Sequence, residues 1–334
     1  MGLKSILNCI VEKLILRKED DPRIQTVKKN SSKRGLSIGN TDPYDGKPMD
    51  GAVAHINGKW KDKYAGILNK KGVKHLFLNT AWGWTCDNYD FLPLLNTLES
   101  FFLLDGRDIS IKQVESLKCL RTLELTVLHC DEIDFSVFKC LETLSCYADK
   151  PIPSVFQCTS LKDLSLSEFR MGDNHQISQL HNLENLYISG YSNLTNLEFL
   201  RSLPKLRKLS IYDNRHITDF SPISSLKHLN WIDLRGLENL HSIDFLENLM
   251  ELNVLLLECG TIESIHPISN HQELKAISIA GSKFSIKDGD LSPIETLNNL
   301  SMLFIRNKRT HNARVNNLWN WNNYGKTRHD WIKH

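Results

Sequence analysis

A short apolar motif recurs eleven times between Val73 and Ile305. Its pattern is L-x-x-L-x-L with other apolar residues allowed, as in Leu120-Arg-Thr-Leu123-Glu-Leu125, Leu161-Lys-Asp-Leu164-Ser-Leu166 and Leu252-Asn-Val-Leu255-Leu-Leu257. The middle apolar residue falls at 76, 101, 123, 144, 164, 186, 209, 232, 255, 277 and 303, so successive copies lie 20 to 26 residues apart. A unit that short cannot bury its own apolar face. It must stack on its neighbours, and the stack as a whole then forms one continuous core.

The motif reads as a strand. Side chains alternate along a strand, so the fourth and sixth positions point into the coil while the third, fifth and seventh point out. Stacking then predicts one parallel sheet whose outward positions line a face that no helix covers. Small Ser, Thr and Ala residues dominate that face, and larger groups stand among them. The residues expected to contact a partner are Tyr147, Asp163, Tyr187, Lys208, Tyr212, Trp231, Asp233, Arg235 and Glu258. Aromatic anchors in a polar surround are what protein hot spots favour. The competing reading is that exposed aromatics merely suit a sheet surface. Asp233 and Arg235 are read as a surface ion pair.

Each strand is followed by a loop and a second apolar set, for example Phe199-Leu-x-x-Leu203, Phe220-Ser-Pro-Ile-x-x-Leu226 and Ile265-His-Pro-Ile268. These sets face the core from the return side. Pro222, Pro267 and Pro293 sit there, where no sheet ladder needs their missing N–H. The short period leaves little room for a full helix, so turns and short 3-10 pieces are expected. Gly190, Gly236 and Gly281 share the second position past the strand motif, where a tight turn is predicted.

The flanks differ from the repeats. Residues 1–18 carry Leu3, Leu7, Ile10, Val11, Leu14 and Ile15 near a 3.6-residue period and read as an amphipathic helix. It either docks on the body or lies on a membrane surface or a partner. Residues 19–50 are polar and rich in turn formers and read as a linker or irregular wrap. Residues 51–72 are expected to cap the first repeat, with Trp82 and Trp84 either extending that cap or standing exposed at its rim. From 306 to 334 the repeat stops, and seven Lys and Arg are interleaved with Trp319, Trp321, Tyr324 and Trp331. That segment reads as a C-terminal cap, as a protein-binding tail, or as a strip able to stack bases and grip phosphates.

The net charge of +2 does not advertise nucleic acid for the molecule as a whole. The eight cysteines show no CxxC pair and no metal-ligand spacing, and are read as free thiols in a reducing compartment. Glu12 and Lys13 break the early apolar run, so an export signal is not expected, and Ile6 stands where a myristoylation pattern wants Ser or Thr. No stretch is apolar enough to span a bilayer. The expected location is cytoplasmic. No phosphate-binding Gly loop, nucleophile elbow or H-E-x-x-H motif appears. Carboxylates three to five coils apart would stand roughly 15 to 25 Å from one another, too far for a glycosidase pair. His216, His241 and His266 drift out of register and do not converge on one metal. No catalytic residue, cofactor or metal ligand is assigned.

The repeats resemble the short leucine-rich repeats of the internalin and phosphatase-regulatory-subunit type. The resemblance is carried by Leu206-Arg-Lys-Leu-Ser-Ile-Tyr-Asp-Asn214 and by Ile217-Thr-Asp-Phe-Ser-Pro-Ile223, and it extends over residues 73–305. It implies an α/β solenoid: a horseshoe of about eleven coils, with a parallel sheet on the concave face and turns and short 3-10 segments on the convex face. It also implies a non-enzymatic scaffold or regulator that engages a protein partner through the concave face. The alternative is a nucleic-acid-associated protein using the basic aromatic tail. Asn214 keeps the family's loop asparagine, whereas Tyr191, Leu237, Gly260 and Ser282 replace it elsewhere. The loop stacking is therefore expected to be less regular than in the family.

Overall fold

The structure, a computed structural model, describes residues 34–147, 149–168, 175–190, 194–281, 283–305 and 311. The helix expected at 1–18 and, apart from His311, the cap or tail expected at 306–334 lie outside the described residues. The chain divides into two compact units, Met1–Ser165 and Leu166–His334.

The first unit opens with an antiparallel hairpin, β1 (Gly35–Thr41) and β2 (Pro48–Asn57). Residues from Gly35 onward are therefore strand, not the irregular polar segment that their composition suggests. The reason is a long-range pairing: β2 runs parallel to β3 (Val73–Asn79), and β1 closes the exposed edge of β2. Between them lies helix α1 (Lys63–Lys70), which buries Tyr64, Ala65 and Leu68. Trp60 stacks on Phe91 with ring centroids 3.8 Å apart. Trp82 and Trp84 are both buried, so they belong to the core under the first repeats and not to an exposed rim. Next come β4 (Ser100–Leu104), β5 (Thr122–Thr126), β6 (Thr143–Tyr147) and β7 (Asp163–Ser167). In β3 to β6 the middle apolar residues pair in series, Leu76 with Phe101, Phe101 with Leu123, and Leu123 with Leu144. The sequence repeat is thus the sheet register.

The second unit continues the pattern with β8 (Asn185–Ile188), β9 (Lys208–Tyr212), β10 (Trp231–Leu237) and β11 (Val254–Cys259). A short strand β12 (Thr261–Ile262) follows, then β13 (Ala276–Ala280), β14 (Ser285–Ile286) and β15 (Met302–Ile305). The main sheet runs β8-β9-β10-β11-β13-β15, while β12 and β14 pair separately. Leu186, Leu209, Ile232, Leu255, Ile277 and Leu303 form one buried row across it.

The return segments are 3-10 turns, including Glu198–Ser202, Ser221–Ser225, His266–Ile268 and Ser292–Thr296. Their apolar residues are buried, with Leu200, Ile223, Ile268 and Leu203 all at 0% exposure. Proline occupies an early position of the last three of these turns, where its N–H is not needed. The residue two past four successive strand motifs turns left-handed: Glu168 (φ 55°), Gly190 (φ 101°), Asp213 (φ 56°) and Gly236 (φ 63°). At Gly190 there is also no space, because a Cβ there would lie 2.5 Å from the Glu168 backbone of the preceding coil. Asn214 is buried and donates to the Tyr212 carbonyl at 2.9 Å. At the equivalent place Leu237 instead extends β10 and pairs with Cys259, and Gly236 is left as a bulge.

Candidate partner-binding face

On the second unit the outward positions of β8, β9 and β10 carry six of the nine expected residues. Register places Tyr187 against Ser210, Lys208 against Trp231, Ser210 against Asp233, and Tyr212 against Arg235. The rings of Tyr187 and Tyr212 meet edge to face, 5.1 Å apart at 80°. Tyr212 Oη donates to Asp233 Oδ2 at 2.6 Å. Arg235 grips the same carboxylate with two bonds, Nε to Oδ1 at 2.6 Å and Nη2 to Oδ2 at 2.7 Å. Its guanidinium carbon lies 5.0 Å from the Tyr212 ring centroid. Lys208 Nζ stands 6.0 Å from the Trp231 ring centroid. On the next strand, Glu258 is exposed and sits opposite Arg235.

This arrangement differs from a surface ion pair. Asp233 is only 3% exposed although it occupies an outward position. A carboxylate is buried without large cost only when its lone pairs are filled, and here Tyr212 and Arg235 fill them. The cluster is therefore a pre-organised floor. Burial, followed by the bond to Asp233, pushes the Tyr212 hydroxyl well above the ordinary tyrosine range. Burial likewise raises that of Tyr187. Both phenols stay protonated donors near neutral pH. The half-buried rings of Trp231 and Tyr187 remain available above this floor.

Two expected residues, Tyr147 and Asp163, lie in the first unit, so the nine do not form one cluster within either unit. Asp163 accepts from Thr143 Oγ1 at 3.4 Å. Outward positions of β5 and β6 show the expected half-exposed alternation. Those of β3 do not. His75, Phe77 and Asn79 are 8%, 1% and 4% exposed. The β1–β2 hairpin meets all three, Phe77 and Asn79 through its turn and His75 through β2. Tyr44 packs on Phe77 with centroids 5.8 Å apart and on Trp82 at 4.6 Å, and its hydroxyl accepts from Asn79 Nδ2 at 3.1 Å. His75 Nε2 bonds the Asp50 carbonyl at 2.9 Å. Sequence reading missed Tyr44. Its local signal was only the turn chemistry of Asp42-Pro-Tyr-Asp-Gly46, where Asp42 Oδ1 accepts from Tyr44 N at 2.6 Å.

A second buried carboxylate repeats the same chemistry in a structural role. Asp105 accepts from Tyr89 Oη at 2.5 Å and from Arg107 Nε at 2.8 Å, while Trp84 Nε1 donates to Tyr89 at 3.4 Å. Among the described residues no group of three or more His, Cys, Asp and Glu side chains is placed to hold a metal ion. His266 pairs with Asp290 at 3.0 Å, and His241 Nδ1 lies 3.2 Å from the Thr261 carbonyl. Seven cysteines lie among the described residues, all free, with Cys119 and Cys140 exposed and the rest buried.

No family model matches the sequence, and no curated protein matches it. Solved structures do. An internalin of Listeria monocytogenes is 20% identical, with 71% of this chain and 77% of that one covered and a TM-score of 0.53. A leucine-rich repeat protein of Leptospira interrogans is 23% identical, covering 75% of this chain and 59% of that one, with a TM-score of 0.51. The chain has the leucine-rich repeat fold. The Arabidopsis receptor kinase HAESA, solved with a peptide hormone and a co-receptor, is 18% identical at a TM-score of 0.55, covering 87% of this chain and 54% of that one. The repeat protein thus spans a little over half of the latter two chains. The cytoplasmic expectation does not survive this comparison. An internalin and a receptor kinase share the fold, so neither the repeats nor the free thiols place the protein inside a cell. No described helix is long and apolar enough to cross a membrane.

Proposed function

We propose that this leucine-rich repeat protein is a non-enzymatic scaffold that binds a protein partner through the open face of its sheet. The observation that carries this reading is the β8–β10 surface, where Trp231 and Tyr187 stand half-exposed on a floor already ordered by Tyr212, Asp233 and Arg235. A rigid floor spares the partner the ordering entropy that usually weakens an interface. Aromatic and Arg groups are the residue types that supply interface hot spots. Lys208 and Glu258 add rim charge, which favours register and on-rate over raw affinity, and the first unit carries the further candidates Tyr147 and Asp163 on its own outward positions. The solved receptor kinase of the same fold holds a peptide hormone and a co-receptor.

Proteins suit this face better than nucleic acid or an anionic membrane. The outward positions of β8 to β11 carry Asp233 and Glu258 against Lys208 and Arg235, with Arg235 already engaged by Asp233, and those of the first unit carry Glu124 and Asp163 and no lysine or arginine. Phosphate-rich partners need a positive surplus.

The test is capture of partners with the intact protein beside Trp231→Ala and Tyr187→Ala variants, followed by affinity measurement on the purified pair. One protein held by the intact bait, and weakened by about 2 kcal/mol or more with Trp231→Ala, is expected. Equal affinity for both variants and the intact protein would exclude this face. Binding of nucleic acid that depends on residues 306–334 and collapses as salt rises would favour the alternative.

A further inference from the structure

The first unit carries a second feature that the β8–β10 surface does not use. On its outward strand positions the only formal charges are Glu124 and Asp163, with no lysine or arginine among them. Glu124 is exposed, and among the described residues its carboxylate has neither a hydrogen bond nor an ion pair. Partial desolvation is the first cause raising its pKa, and repulsion by the Asp42 carboxylate of the hairpin turn is the second. Asp42 is itself fixed by accepting from Tyr44 N and Asp45 N. The nearby Lys47 is already paired with Asp45 at 3.2 Å.

An aromatic wall stands beside this uncompensated charge. Phe77 and Phe102 stack with centroids 4.0 Å apart and planes 3° from parallel. Phe77 is buried and meets Tyr44, whereas Phe102 is half-exposed. Register places Glu124 directly next to Phe102 on the following strand, and Ser145 next beyond it. Thr122, Thr126 and Ser145, outward residues beside Glu124 on its own and the next strand, are small. A flat aromatic flank with an adjacent lone carboxylate matches a guanidinium, which stacks on a ring while donating in its own plane to an acid.

We propose that Glu124, Phe102 and Asp42 form a seat for an arginine side chain carried by the protein partner. This rests on the reading that the open sheet face is where the partner lies, and it names the chemistry of one contact there. Carboxylate and ring would act together: Glu124 accepts from the guanidinium, Phe102 supports its face, and Asp42 adds field without leaving its turn.

The probe is Nα-acetyl-L-arginine methylamide, titrated into the isotopically labelled full chain and followed by NMR, with the neutral citrulline analogue as control. Saturable shifts at residues 42–45, 102 and 124 are expected with the arginine derivative and not with the citrulline one. Glu124→Gln, an exposed near-isosteric change, should weaken the arginine derivative by about tenfold. Phe102→Ala should weaken it as well. Absence of saturable shifts at those residues, equal response to citrulline, or unchanged binding by Glu124→Gln would overturn the proposal. Loss of the protein partner on Trp231→Ala is read in a separate assay, so either idea can fail alone.

Discussion

At the scale of single residues, two kinds of constraint coexist on this chain. Gly190 is held by geometry: its left-handed backbone and the 2.5 Å approach of the Glu168 backbone leave no place for a methyl group. Gly190→Ala should therefore lower stability by about 1–3 kcal/mol, read as a shift of the denaturant midpoint. Tyr212 is held by chemistry. Tyr212→Phe keeps the ring against Tyr187 and Arg235 but removes one of the bonds to buried Asp233. A loss of about 1 kcal/mol is expected in unfolding, because Arg235 still satisfies the carboxylate. Trp231→Ala should do the reverse. It leaves the floor intact and lowers partner affinity with little change in the unfolding midpoint.

At the scale of elements, each coil depends on its neighbours more than on distant ones. The 3-10 turn His266–Ile268 and the residues after it show how a return segment is anchored. His271 is fully buried, its Nε2 lies 2.9 Å from the Leu246 carbonyl of the preceding coil, and its Nδ1 is buried without a partner. Burial holds its pKa below the ordinary 6.5. The sign follows from linkage. Below pH 6.5 the unfolded chain binds a proton at this site that the folded chain refuses, so stability is full above that pH and declines as pH falls toward the lowered folded value. Thermal unfolding followed from pH 7.5 to pH 5 should show this decline, and His271→Gln should flatten the part that falls between pH 6.5 and pH 5. An unchanged slope in the variant would assign the pH dependence to other groups. Truncating one ladder residue, as in Leu209→Ala, should cost about 2–5 kcal/mol, with hydrogen exchange rising first in β8, β9 and β10.

At the scale of the molecule, the two units carry different materials on their outward strand positions. The β8–β10 surface of the second is aromatic and internally neutralised, while the β4–β5 surface of the first presents Glu124 beside the half-exposed Phe102. A partner that uses the β8–β10 surface alone should bind with weak dependence on ionic strength, since contacts to rings and to an already paired arginine are not screened. A partner that also seats an arginine on Glu124 should lose part of its affinity as salt rises from 0.05 to 0.5 M, and that part should vanish in Glu124→Gln. Isothermal titration at several salt concentrations separates the two cases.

The repeat, its register and the inward and outward sides of each strand were all legible in the sequence, because side-chain period and coil period together leave one consistent way to bury Leu123, Leu209 or Ile277. The 3-10 returns were legible too, since 20 to 23 residues with a proline in the return leave no length for a helix. The left-handed turn at Gly190 and Gly236 showed through glycine's own chemistry. What only the tertiary structure decided depended on long-range partners. Gly35–Thr41 became strand because β2 had an edge to close. Tyr44 came to cover Phe77 and Asn79 across more than thirty residues. Asp233 proved buried because Tyr212 and Arg235, a coil away and two residues on, converge on its two oxygens. Spacing along the chain states which side of a strand a residue faces. It does not state what arrives to cover it, because that is settled by the free energy of contacts between segments far apart in sequence.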